Sequence, residues 1–269
     1  MKLQAHAVEK PWGRTDLAGV FGGSSDRRIG EIWFEHPSRQ DLPLLVKYIF
    51  TSEKLSIQVH PNDEEARERG LKRGKNECWY ILDAADDSTL GLGLNSIVSA
   101  DELRAASING SIEGLLDWKP VAAGDFFYVP AGTVHAIGAG IMLLEVQQNA
   151  DVTYRLYDYG RPRELHLDDG IAVSKREGYS PNDLRPAGGP VNTVLIDGPH
   201  FSLLRASSTD SIPAPISMRR RWVMPLSGKA CSDGEAASAG ECLLLEPDAP
   251  LTFKESAIVL IAFEGSVED

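Results

Sequence analysis

At 269 residues the chain can bury a sizeable core without disulfide or metal staples, and its 42% apolar and 25% charged content excludes a disordered or fibrous protein. A formal charge of -12 sets its field against phosphate backbones and anionic lipid, so nucleic acid and membrane are excluded as partners, and any anionic ligand needs local Lys or Arg. The three cysteines, Cys78, Cys231 and Cys242, are odd in number and lack metal-ligand spacing, so they read as reduced thiols; with no signal-like or membrane-spanning apolar stretch, the expected location is cytoplasmic.

In chain order, short apolar or alternating runs punctuated by Gly, Pro and Asp predict strands at Glu31 to Phe34, Leu44 to Phe50 and Leu55 to Val59. Gln58 and His60 lie two apart in the last of these, on one face of a strand. Asn62, with Glu65 three residues later, is a capping box opening a short polar helix that Gly70 stops. A strand follows at Cys78 to Leu82, with Glu77 at its start. Ser99 and Glu102 form a second capping box, leading into helical stretches DELRAASI and SIEGLLDW. Strands resume at Phe126 to Val129 and Ile141 to Val146. Strands so spaced, without regular helices between them, predict a mainly β protein whose first part is an antiparallel jelly roll with short inserted helices.

The stretch Ser180 to Asn192, rich in Pro, Gly and Asn, is the expected linker. Beyond it, strand-like runs return at Thr193 to Ile196, Phe201 to Ala206, Arg221 to Leu226, Cys242 to Leu245 and Ala257 to Phe263. The expectation is a larger domain over 1–183 and a smaller β domain over 184–269. An internal echo supports it: a Gly turn, strand and Pro turn run from Gly124 to Pro130 and again, one residue longer, from Gly240 to Pro247. No His follows the second copy, so that domain is expected to bind no metal.

The first copy continues Pro130-Ala131-Gly132 and, three residues on, His135. Gly124 permits the tight turn, Pro130 ends the strand, and Gly132 lets the chain bring His135 to face the interior. Alone, each of Gln58, His60, Glu77 and His135 reads as a satisfied polar residue in a core. Together, an amide, two imidazoles and a carboxylate form an N/O donor set suited to zinc, with iron, manganese or cobalt chemically admissible. The paired segments resemble the motifs of the cupin superfamily, although Ala139 stands where the second motif often has Asn.

The resemblance goes further. QVHPND, GKNECWY, PAGTVHA and EVQQNADVTYRLYDY, with an early KPWG and GEIW, are similar to the short bacterial form of the type I mannose-6-phosphate isomerases, over roughly residues 8–180. That resemblance implies one zinc on Gln58, His60, Glu77 and His135, and interconversion of mannose 6-phosphate and fructose 6-phosphate. It also implies an active-site Arg155, a Lys75 matching the family lysine before the metal-binding glutamate, and Glu145 and Asp151 near the substrate. The implied partner is a small sugar phosphate, with a monomer or homodimer as the assembly. Some members have a His before that lysine; Gly74 stands here, so its role does not transfer.

The chemistry asks for the same residue types. Aldose-ketose isomerisation moves a proton between adjacent carbons through an enediol, and needs a base, a donor and a counter to oxyanion charge. Lys75 and Arg155 can supply the last; Glu145, Asp151 or a metal-held water can be the base. Lys47, Arg161 and Arg163 are equally readable as phosphate ligands or as solvated surface. Arg219 to Arg221 read as an edge guard, His6, His36, His166 and His200 as structural or exposed, and Trp12 and Trp33 as core. Other cupin chemistries, a dioxygenase or an epimerase, and a non-catalytic sugar-binding cupin are the alternatives.

Overall fold

A computed structural model describes residues 1–17, 21–186 and 188–265; the expected linker includes residue 187, which lies outside them. In chain order the strands are β1 (Gln4–Asp16), β2 (Ser24–Glu35), β3 (Leu44–Phe50), β4 (Ile57–Val59), β5 (Glu77–Ala84), β6 (Thr89–Leu94), β7 (Leu116–Pro120), β8 (Phe126–Val129) and β9 (His135–Ile137). They continue with β10 (Ile141–Gln148), β11 (Tyr154–Tyr157), β12 (Leu184–Arg185), β13 (Thr193–Asp197), β14 (Phe201–Ala206), β15 (Arg221–Ser232), β16 (Glu235–Ser238), β17 (Leu243–Leu245) and β18 (Thr252–Glu264). Short helices intervene: α1 (Asp63–Glu68), α2 (Ala100–Asn109), α3 (Ile112–Leu115), α4 (Leu167–Val173) and α5 (Ala214–Ser217).

Three sheets result, with strand orders β1-β2-β3-β10-β5-β8-β12, β11-β4-β9-β6-β7 and β13-β14-β18-β15-β16, with β17 beside β15. The first two face each other as the expected jelly roll, burying Trp79, Ile81 and Leu143 of one against Leu90, Leu92 and Ile137 of the other. The outer face of the second sheet packs on α2 and α4 through Leu103, Leu156 and Ile171. Strand β3 is buried along its whole length because both its faces are covered. Val46, Tyr48 and Phe50 join Leu203, Trp222 and Leu260 of the third sheet in one cluster, while Ile49 belongs to the inner one. The third sheet keeps a further cluster on its far side, around Val223, Leu243, Ile261 and Phe263. The N-terminus is bonded to this sheet: Leu3 N–H donates to the Cys242 carbonyl at 2.9 Å.

Both capping boxes form, Asn62 with Glu65 on α1 and Ser99 with Glu102 on α2. The stretch SIEGLLDW departs from its helical reading. Only α3 is helical; from Leu116, which is buried in the cluster of Leu103 and Ile112, the chain is β7 and pairs with β6. The linker stretch is not free either. Leu184 and Arg185 pair with Phe127 and Phe126 of β8 as the last strand of the first sheet.

Candidate active site

Strand registers assemble the site. In the second sheet β4 lies between β9 and β11, so Gln58 stands opposite His135 on one side and Arg155 on the other. In the first sheet Glu145 of β10 stands opposite Lys47 of β3 and Trp79 of β5, and Glu77 opposite Gln147. These side chains share the inner face, looking across at the second sheet. His60 follows the end of β4, where its carbonyl accepts the Gly132 N–H at 2.9 Å.

His60, Glu77 and His135 meet between the sheets, each about 1% exposed, with potential ligand atoms all within 4.8 Å of one another. Glu77 Oε2 is 3.4 Å from His60 Nε2, and Oε1 is 3.4 Å from His135 Nε2. Burial holds both imidazoles neutral: His60 is pushed well below its usual pKa, with Lys75 adding to the effect, and His135 is pushed down to about 4. His135 Nδ1 lies 2.9 Å from the Thr133 carbonyl, so the neutral ring's proton belongs there and the Nε2 lone pair faces the cluster. Burial pushes Glu77 up to about 7 against the pull of Lys75. Its Oε2 has no hydrogen-bond partner among the described residues. Lys75 Nζ is 3.2 Å from that oxygen, near enough to attract it by charge without the alignment of a hydrogen bond, and 3.2 Å from His60 Nε2.

Two neutral imidazoles and a carboxylate with a spare buried oxygen fit a divalent cation, whose charge would offset the cost of burying Glu77 ionised. The Gln58 amide borders the set, with Nε2 3.3 Å from His135 Nε2 and Oε1 accepting from Ser56 at 3.1 Å. Which end of the amide is oxygen is an assignment, and ligation requires the oxygen inward.

Beside the cluster the inner face carries alternating charge. Burial opposes ionisation of Glu145, but Lys47 at 3.3 Å, Lys75 and the Trp79 indole, donating at 3.0 Å, outweigh it and hold the carboxyl below its usual range. The Lys47 ammonium also sits 4.8 Å from the centre of the Trp33 ring. Farther out, Lys10 pairs with Glu31 at 3.5 Å. Gln58, Lys75, Glu77, Glu145, Asp151 and Arg155 all line one cleft, joined by Lys47 and Arg163. A larger cavity of 460 Å³ beyond Trp33 touches none of the ligand cluster, so chemistry rather than size selects the site.

At the rim, Asp151 is exposed. Arg155 Nη1 donates to the Glu164 carbonyl at 3.1 Å, while its Nε is buried without a partner among the described residues. Burial, and then the charge of Arg163, lower the Arg155 pKa. Arg163 is clamped by Asp158 through two bonds of 2.6 Å. Arg161 bonds to the same carboxylate but stays outside the cleft.

Sequence reasoning passed over Lys10 and Glu31, though both belong to the early KPWG and GEIW segments. Trp33 corrects an expectation, being a half-buried wall of the cleft rather than core, while Trp12 is in the inner core and also reaches the cleft. His166 is structural: its Nδ1 accepts the Arg155 N–H at 3.2 Å. Position 74 has a steric reason to be Gly, since a Cβ there would lie 2.4 Å from the Asn62 carbonyl carbon.

No protein-family model matches the chain. It is 40% identical over 209 residues to a mannose-6-phosphate isomerase of Streptococcus mutans, covering 72% of this chain and 65% of that protein, which is just under two thirds of its length. It is 33% identical over 272 residues to the probable mannose-6-phosphate isomerase GmuF of Bacillus subtilis, covering 84% and 86% of the two chains. The solved structure of a Bacillus subtilis mannose 6-phosphate isomerase matches with a TM-score of 0.78 at 27% identity, over 97% of this chain and 98% of that one.

Proposed function

The chain belongs to the mannose-6-phosphate isomerase family, and from that premise we propose that it interconverts mannose 6-phosphate and fructose 6-phosphate in the cleft between its first two sheets. The observation that carries the reading is the meeting of His60, Glu77 and His135 beside a second, ionised carboxylate, Glu145, in one cleft.

In this reading a divalent metal, zinc by the chemistry of the donors, is held by Gln58, His60, Glu77 and His135 and supplies Lewis-acid polarisation of the sugar oxygens. Glu145 is the better placed base. It is buried, ionised and inside the cleft, whereas Asp151 is exposed at the rim. It removes the proton from C2, next to the aldose carbonyl, as O1 takes up a proton to give the enediol, and returns the first proton to C1 as O2 gives up its own to become the ketose carbonyl. Lys75 faces the negative charge that builds on the sugar oxygens, and Lys47 keeps Glu145 charged until it takes the proton. Arg155 and Arg163 form the cationic rim that receives the phosphate, overcoming the repulsion of a chain with net charge -12. A cytoplasmic setting belongs to the same reading, supported by three unpaired thiols; no helix among the described residues is long and apolar enough to cross a membrane.

The test is a coupled assay for fructose 6-phosphate from mannose 6-phosphate. Turnover that stops with chelator and returns with zinc is expected; metal-replete protein that gives none overturns the reading.

A further inference from the structure

Asn76 and Gln148 sit inside the segments GKNECWY and EVQQNAD, yet neither lines the cleft and the chemistry above uses neither. They are 5% and 7% exposed and bonded chiefly to each other. Gln148 Oε1 accepts the Asn76 backbone N–H at 3.0 Å and its Nδ2 at 2.8 Å, and the Asn76 carbonyl accepts the Gln148 N–H at 3.0 Å. From its other end Gln148 Nε2 donates to Asp63 Oδ1 at 3.1 Å, the same oxygen that takes the Gly74 N–H at 2.7 Å. Asn76 Oδ1 in turn accepts from the Ala131 N–H at 2.9 Å.

These bonds join four chain segments, and each holds a site residue: His60 before Asp63, Lys75 and Glu77 around Asn76, His135 after Ala131, and Glu145 before Gln148. Close packing leaves the segments little freedom to adjust. Lys75 N–H donates to the Pro61 carbonyl at 3.0 Å, and Gly74 lies against the Asn62 backbone without space for a side chain. We propose that Gln148 is a positioning residue: acting through Asn76 and Asp63, it sets where Lys75 and Glu77 stand relative to His60. The proposal rests on reading the cluster as a metal cradle. Groups just outside the ligands orient them, and their loss costs about 10- to 100-fold in metal affinity or activity. Were the network only satisfying buried polar groups, its loss would lower stability and leave the folded site's affinity unchanged.

Two variants separate these roles. Gln148→Ala removes both arms. Gln148→Glu keeps an oxygen for the Asn76 donors but turns another toward the Asp63 carboxylate, so it severs one arm at nearly constant shape and stands in if the alanine variant does not fold. Zinc affinity is read by competition with a chromogenic chelator, and kcat and KM are read at saturating zinc, under conditions where urea titration shows each protein folded. We expect zinc affinity to fall about 10- to 100-fold, and kcat to fall while KM stays within about threefold. A folded variant with parental zinc affinity and parental kcat overturns the proposal. A parent that binds zinc without isomerising sugar phosphate fails the proposed function instead, and the zinc affinities of parent and variant then decide the role of Gln148.

Discussion

Two stretches of the chain share a local plan and end differently. Gly124, at φ 94°, opens onto β8 and Pro130 follows it; Gly240, at φ 86°, opens onto β17 and Pro247 follows it. Five residues beyond the first proline stands His135, buried in the ligand cluster; five beyond the second stands Thr252, exposed at the start of β18. The surroundings diverge in the same way. The inner face of the first sheet buries Lys47, Glu77 and Glu145, whereas the third sheet's far face buries Val223, Leu243, Ile261 and Phe263 and, among the described residues, a single cation, Arg221. One backbone device therefore serves both regions, and the difference lies in what the covered face holds. An unpaired buried ion costs several kcal/mol in desolvation, so buried charge needs either a counter-charge or a set of hydrogen bonds. The first region buries ions of both signs beside one another, whereas the buried charges of the third sheet, Arg205 and Arg221, are arginines bonded to backbone carbonyls.

The largest effect comes from making the first region as inert as the second. Glu77→Ala should remove bound metal and lower kcat/KM about 10³-fold, the equivalent of ~4 kcal/mol. Elemental analysis and the coupled assay read it, and activity retained within about tenfold would show that the metal is not what separates the regions. Next, Lys47→Met removes the counter-charge and strands the Glu145 carboxylate, for an expected loss of ~3 kcal/mol at neutral pH by urea unfolding. The sign with pH follows from the depressed pKa of Glu145. A lowered folded value gives stability that is complete above the unfolded value, about 4.3, and is lost as pH falls through the folded one. The gap between parent and variant should thus be widest at neutral pH and close in acid; a gap that widens in acid contradicts the pairing.

Glu145→Gln should lower kcat about 10²-fold while leaving metal bound, since it removes the proposed base and keeps all four candidate ligands. Asp151→Asn, at the exposed rim, should cost less. The reverse order would move the base to the rim and break the assignment of chemistry to the buried face.

Much of this was legible in the residues. Gln58 and His60 announce a shared strand face by their spacing, and the Gly124, Pro130 and Gly132 punctuation marks where His135 turns inward. The run Leu55 to Val59 contains β4, but periodicity cannot show β9, at three residues, and the helical reading of SIEGLLDW missed β7, whose strand state depends on pairing with β6. Nor could it place Glu31 and Lys10. Their strands reach the cleft only because β3 lies between β2 and β10, an order set by long-range pairing. Lys47, readable in the sequence as a phosphate ligand or as solvated surface, is buried, and β10 brings Glu145 opposite it. Local rules name the candidate ligands; the neighbours that set their charge come from topology.

The smallest expected effect lies at a contact between the two regions. His200, in the turn between β13 and β14, approaches Asp63 of the metal-site side at 3.5 Å, with both side chains about 30% exposed. A partly solvated pair of this kind contributes about 0–1 kcal/mol, so His200→Ala should barely move the unfolding midpoint. Asp63 retains its bonds to Gly74 and Gln148, which are the ones that reach Lys75 and Glu77. Turnover should therefore stay within about twofold, and zinc affinity should not change. If His200→Ala instead matched the loss expected of Gln148→Ala, the third sheet would be gripping the site through Asp63, and its contribution would extend beyond packing against the first sheet.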